Sequence, residues 1–349
     1  MDHKAFISGC AGLALDDDER RFFAAHRPCG LILFRRNCGN PEQIRSLIAD
    51  FKTSVGSDDV LVLIDQEGGR VERLKPPHWL HLPPAACYGR LYGADPAMAA
   101  RAAFAGARLT AAELYDLGIT VNTMPVLDVP QEGAHDIIGD RAYATDPETV
   151  IVLGREVIEG CLSGGVLPVI KHVPGHGRAA ADSHLALPCI EAGRAELEAV
   201  DFRPFRALRH APLAMTAHVL MPAFDDQRPS SVSPVIMGEV IRNLIGLTGL
   251  VMSDDLGMKA LGGSFAERAR GTIEAGCDVA LHCSGKLEEM EEVAGAVPRL
   301  DGVAAERFAK ARAHLRAPEP FDAAEAMALV TEAAGTQVAS LGRDPTVSA

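Results

Sequence analysis

The sequence predicts an α/β protein folded as a single (β/α)8 TIM-type barrel with C-terminal helices packed on it. Three observations carry that expectation. Eight short apolar, β-prone runs recur, at residues 5–8, 30–34, 60–64, 119–122, 167–171, 213–218, 249–253 and 278–282. None shows the polar alternation of a half-exposed strand, which is how strands buried on both faces read. Helical segments separate the runs, and strands alternating with helices make parallel βα units. The strand number favours a closed barrel over an open doubly wound sheet. The length of 349 residues suits one barrel, a fold of ~250 residues and more with insertions.

The elements follow in order. Ile7-Ser8-Gly9-Cys10 imitates a lipoprotein cleavage box, but only Ala5, Phe6 and Ile7 precede it as an apolar run. An export signal needs ~7–15 such residues, so the stretch reads as the first strand. Asn40-Pro41, Asp95-Pro96, Asp146-Pro147 and Ser233-Pro234 each place a capping side chain before a proline, the signature of a helix start. Ile44, Leu47, Ile48 and Phe51 then keep helical spacing and form one buried stripe. Gly118, Gly164-Gly165 and Gly276 stand just before strand runs, where a left-handed helix end costs little. Residues 303–317 and 321–341 read as the C-terminal helices. One domain over residues 1–341 is expected, with 342–349 as a frayed tail.

Composition narrows the function. Nearly half of the residues are apolar, enough for a large core. A net charge of −13 disfavours a nucleic-acid partner, since no basic face forms easily. No apolar run approaches the ~20 residues of a membrane span, so a cytoplasmic monomer without membrane contact is expected. The eight cysteines contain no CxxC pair and read as small buried hydrophobes in a reducing compartment.

In a barrel, chemistry lies at the carboxyl ends of the strands, and the unusual polar residues fall there. Asp65 to Arg73 follow the third run, Ile138-Gly139-Asp140-Arg141 the fourth, Lys171 to Gly177 and Asp182-Ser183-His184 the fifth. His218 follows the sixth and Asp254-Asp255 the seventh. His172 and His176 share the i, i+4 spacing of helical metal ligands, but Pro174, Gly175 and Gly177 argue against a helix there. A loop that turns sharply near a ligand fits better, and the compositional lack of anchors predicts that residues 174–183 move as a lid. In Asp182-x-His184, a carboxylate two residues from an imidazole orients it and favours its protonated form. That gives an acid/base group for neutral pH. A carboxylate ending a buried strand suits a nucleophile for an oxocarbenium-like centre, but alternation does not say whether Asp254 or Asp255 faces the pocket. Lys171, Arg73, Arg141 and Asp65 would line a polar pocket fit for hydroxyls.

At these residues the chain resembles glycoside hydrolase family 3, and within it the NagZ-type β-N-acetylglucosaminidases of bacterial peptidoglycan recycling. The resemblance rests on IDQEGGRVERL at 64–74, IGDRAY at 138–143, KHVPGHGRAAADSH at 171–184 and VMSDDLGM at 251–258. It implies a retaining exo-β-N-acetylglucosaminidase with Asp254 as nucleophile, His184 as acid/base and Asp182 as its partner. Asp65, Arg73, Arg141, Lys171 and His172 match the positions that hold the terminal sugar. The implied substrate is a small carbohydrate, N-acetylglucosaminyl-1,6-anhydro-N-acetylmuramic acid with or without its stem peptide, and no metal or cofactor is implied. One departure is Gly9, where many relatives carry an acidic residue. Alternative readings are a phosphorylase on the same site, a metal-dependent hydrolase using His172, His176 and His184, and a sugar-binding barrel with a dead site. Asp254, Asp182 and His184 together argue against the last.

Overall fold

A computed structural model describes residues 2–183 and 185–335. Its centre is a closed barrel of eight parallel strands in sequence order. They are β1 (Lys4–Ser8), β2 (Pro28–Leu33), β3 (Leu61–Ile64), β4 (Val121–Asn122), β5 (Leu167–Val173), β6 (Leu213–Thr216), β7 (Leu250–Asp255) and β8 (Val279–His282). The register Phe6↔Ala280 closes the ring between β1 and β8. All eight expected runs became strands, with shifted ends. β4 starts later than expected, at Val121, because the Ile119 amide still closes the preceding helix on the Leu114 carbonyl at 2.9 Å; beyond its end, pairing resumes at the Val126–Lys171 bridge. β5 and β7 run longer, so His172, Asp254 and Asp255 lie within strands instead of after them.

Alternation along each strand divides two cores. Ile7, Leu61, Leu63, Val169, Leu213, Met215, Leu250, Met252 and Leu281 form one cluster inside the barrel. Phe6, Leu31, Leu33, Val62 and Ile64 point outward and pack with Ile44, Leu47, Ile48 and Phe51 of helix Pro41–Val55. Each such fully buried side chain contributes roughly 1.5–3 kcal/mol. Following the inward set toward the carboxyl ends leads from Leu61 and Leu63 to Asp65. It leads likewise from Val169 to Lys171 and from Leu250 and Met252 to Asp254. The apolar interior therefore gives way to charge at one end of the barrel.

Three of the four helix starts follow the expected pattern: Asn40, Asp95 and Asp146 accept the backbone N–H of Gln43, Met98 and Thr149. The fourth differs. Ser233 Oγ does accept from the Ile236 amide at 3.1 Å, but Ile236–Leu244 winds as a π-helix. That winding buries Ile236, Met237, Val240 and Ile241 together. Gly118 and Gly276 end their helices in the left-handed region, as expected; in the third pair Gly165 takes the positive φ. The C-terminal helices are Gly302–Arg312 and Ala323–Ala334. Phe308 joins the interior barrel cluster, and Ala326 and Val330 pack on Ala105 and Leu109. The tail at 342–349 lies outside the described residues. The eight cysteines are free, and all but Cys189 are buried. Among the described residues no helix is long and apolar enough to cross a membrane.

Candidate active site

The site starts from the turn after β3. Residues Gln66–Gly68 and Val71–Glu72 form a small antiparallel hairpin. The buried Gln66 amide fixes it: Gln66 Oε1 accepts from the backbone of Arg73 at 2.9 Å and of Leu74 at 3.0 Å. Asn122 on β4 anchors the same residue, accepting from its N–H at 3.0 Å and donating to its carbonyl at 2.9 Å. Asp65, Glu67 and Arg73 are thereby held above the barrel mouth.

These residues build one buried ion network with Lys171 and Arg141. Asp65 bonds Arg73 at 2.7 Å and Lys171 at 3.3 Å, and also accepts from the Thr123 hydroxyl. Glu67 receives two bonds from Arg141, both 2.8 Å, and one from Lys171 at 2.5 Å. Burial alone would raise both carboxyls. The charges of Lys171 and Arg73 outweigh it at Asp65 and hold it well below the usual range. Those of Arg141 and Lys171 bring Glu67 down to about 2. Charges this deep persist only when fully paired. Removing Glu67 leaves the buried Arg141 without its carboxylate and Lys171 with Asp65 alone. Glu67→Ala is therefore expected to cost about 3–5 kcal/mol of stability, read as a shift in urea-induced unfolding. Glu67→Gln, which keeps the hydrogen-bonding shape, should cost less.

His172 is placed by Asp128. The carboxylate accepts from His172 Nδ1 at 2.7 Å and lies 3.3 and 3.4 Å from its backbone N–H. It also accepts from the His176 backbone N–H at 2.7 Å. Burial would push Asp128 up, but the neighbouring His172 charge and these bonds hold it below its ordinary value. His176 is itself buried, and desolvation brings its imidazole down to about 4. Its Nε2 meets Ser183 Oγ at 3.1 Å. The ring nitrogens Nδ1 of His172 and Nε2 of His176 are thus engaged. Among the described residues no group of three His, Cys, Asp or Glu side chains is arranged to hold a metal.

Asp254 and Asp255 both line the same pocket as Asp65, Arg141, Lys171, His172 and Ser183. Continuing the inward alternation of β7 selects Asp254 over Asp255. The Asp255 carboxylate instead accepts the backbone N–H groups of Gly257 and Cys283, both at 3.0 Å. His218, fully buried, donates from Nε2 to the Asp255 carbonyl at 3.0 Å and takes the Ser231 hydroxyl on Nδ1 at 2.6 Å. It fixes the end of β7 from behind. Asp182 is half-buried beside Ser183, and its carbonyl accepts from Leu185 and Ala186 at 2.9 and 3.0 Å. His184 lies outside the described residues.

The segment 174–183 is anchored at its start. Residues 174–177 are all buried, and a Cβ on Gly177 would lie 2.2 Å from the Val129 carbonyl oxygen. The Gln131 and His135 amides donate to the carbonyls of Gly177 and Ala179 at 3.1 and 2.8 Å. The anchoring comes from backbone groups and close contact, which composition does not reveal. Gly9 is also required here: a Cβ would lie 2.4 Å from the Cys283 carbonyl oxygen, in space bounded by Arg36.

The sequence reading missed Glu67, Thr123 and Asp128. Glu67 shares the inward parity of Asp65, and Asp128 is a lone carboxylate in the apolar run 126–129. Both were signals, since an unpaired charge does not stay in such a place.

The comparisons with known proteins agree with this geometry. The model of the glycosyl hydrolase family 3 N-terminal domain matches residues 7–317. A β-hexosaminidase of Alkalilimnicola ehrlichii is 40% identical over 282 residues, 80% of either chain. Another, from Thiobacillus denitrificans, is 35% identical over 338 residues, covering 96% of this chain and 93% of its own. Among solved structures, NagZ from Neisseria gonorrhoeae in complex with N-trifluoroacetyl-D-glucosamine matches with a TM-score of 0.85 at 30% identity, over 96% of this chain and 99% of that one. The closed barrel, the charged mouth and these matches lead to one conclusion: the chain belongs to glycosyl hydrolase family 3 and is a β-hexosaminidase.

Proposed function

We propose that the enzyme is a retaining exo-β-N-acetylglucosaminidase that removes the terminal non-reducing N-acetylglucosamine from peptidoglycan fragments. The substrate in this reading is N-acetylglucosaminyl-1,6-anhydro-N-acetylmuramic acid, with or without its stem peptide. The observation that carries the reading is that Asp254 opens into the same pocket as the paired Asp65, Lys171, His172 and Arg141. Such a cluster offers a sugar both carboxylate acceptors and charged donors in fixed positions.

The chemistry follows in two steps. Asp254 attacks the anomeric carbon while His184, oriented by Asp182, gives a proton to the leaving glycosidic oxygen. The C1–O bond breaks, and the sugar becomes an ester of Asp254. His184 then takes a proton from water, whose oxygen attacks C1 and frees the Asp254 carboxylate. Asp65, Arg73, Arg141, Lys171 and His172 hold the hydroxyls through both steps. No metal or cofactor enters the sequence. Eight free cysteines fit a reducing cytosol, and a single-domain monomer completes the reading.

The test is product analysis on the disaccharide, with and without phosphate. Free N-acetylglucosamine formed first as the β-anomer, at a rate independent of phosphate, is the expected result. An α-anomer first product, or N-acetylglucosamine 1-phosphate, would replace the hydrolytic retaining reading.

A further inference from the structure

Outside the residues already assigned, one buried group stands out at the pocket: His176. It is only 3% exposed. Its two ends do different things. The backbone N–H is fixed by Asp128, the carboxylate that also orients His172. The ring Nε2 reaches Ser183 Oγ, seven residues on. Ser183 stands between Asp182 and His184 in the chain, and it lines the pocket.

The two partners of this bond are held very differently. On the His176 side, residues 174–177 are buried and pinned to the β4 loop at Val129 and Gln131. On the other side, Ser183 is buried and its carbonyl accepts from the Ala260 amide at 3.2 Å, but the chain around it is open: Ala180 is exposed, and Leu185 and Leu187 stand open at 67% and 37%. A short link from a rigid anchor to a solvated stretch sets the position of that stretch. Burial also keeps the imidazole uncharged near neutral pH, since it is pushed down to about 4. The link is then a hydrogen bond between neutral groups, modest in strength and reversible.

We propose that His176 and Ser183 form a positioning latch that fixes Ser183 at the pocket and so acts on the catalytic pair, Asp182 and His184, that flanks it in the chain, with Asp128 tying the latch to the sugar-binding His172. The inference rests on the reading of His184 as acid/base. Neither latch residue transfers a proton to substrate. Their effect passes through the placement of the acid, so it scales with how much the leaving group needs protonation.

Leaving-group dependence is therefore the readout, because a general loss of folding would not produce it. Ser183→Ala is expected to lower kcat/KM about 10-fold on an N-acetylglucosaminide with a poor, alkyl leaving group. That is the rate equivalent of one neutral hydrogen bond. On an activated nitrophenyl N-acetylglucosaminide the loss should be about 2-fold or less, with KM little changed. Ser183→Thr, which keeps the hydroxyl, should recover most of the difference, and His176→Phe should reproduce it. Equal losses on both substrates, or no loss on either, would overturn the latch. His184→Ala serves as the reference. If it shows a steep leaving-group dependence while Ser183→Ala shows none, the latch alone fails. If both are flat, the acid/base assignment fails and the latch falls with it.

Discussion

Asp254→Asn is expected to lower kcat/KM by ~10⁴-fold or more on every substrate, whatever its leaving group, the scale seen when a nucleophile acting within a unit is removed. The covalent route needs a carboxylate oxygen at C1, and an amide is a poor replacement. An activated leaving group does not help, because bond formation is what has been lost. Asp255→Asn provides the contrast. Asp255 Oδ1 accepts from the Gly257 and Cys283 amides at 3.0 Å each, and asparagine keeps an oxygen able to do the same. A loss of about 10-fold or less, together with lower thermal stability, is expected, since only neutral-strength bonds are perturbed. Steady-state kinetics of both variants on nitrophenyl and disaccharide substrates decide the matter. Comparable losses in the two variants would mean that the alternation of β7 does not select the reacting carboxylate.

The second large effect concerns the sugar. N-acetylglucosaminides are expected to be preferred over glucosides by up to ~10⁴-fold in kcat/KM, because a site built to hydrogen-bond a group leaves buried polar atoms unpaired when it is absent. The hydroxyl-binding set of Asp65, Arg73, Lys171 and His172 is shared by both sugars. The acetamido group must therefore supply the discrimination. Parallel assays on nitrophenyl N-acetylglucosaminide and nitrophenyl glucoside measure it directly. Equal rates would leave the network as a general sugar site and remove the N-acetyl specificity.

The fold was legible because its determinants are local. Eight apolar runs and three Asx-Pro helix starts act within a few residues of themselves, and each formed where the sequence placed it. Strand ends were less legible, since β5 and β7 continue through His172 and Asp254 only because partners elsewhere accept these polar groups. The site shows the same division. Asp65, Arg141, Lys171, His172 and Asp254 meet in one pocket, and motif and strand-end position both pointed to them. Asp128 was missed because its two partners, His172 and His176, are 44 and 48 residues away. Glu67 was missed because its value lies in the Arg141 and Lys171 pairing across 74 residues and more. The anchoring of residues 174–177 depends on the Val129 carbonyl, which no composition records.

The central claim is that catalysis passes through a sugar ester of Asp254. A slow fluorinated N-acetylglucosaminyl substrate forms that ester faster than water removes it. Digestion and mass spectrometry should then find one N-acetylfluoroglucosyl mass on the peptide that contains Asp254, localised to that side chain by fragmentation. The label appearing on Asp255, or product forming with inverted configuration and no labelled peptide, would contradict the account.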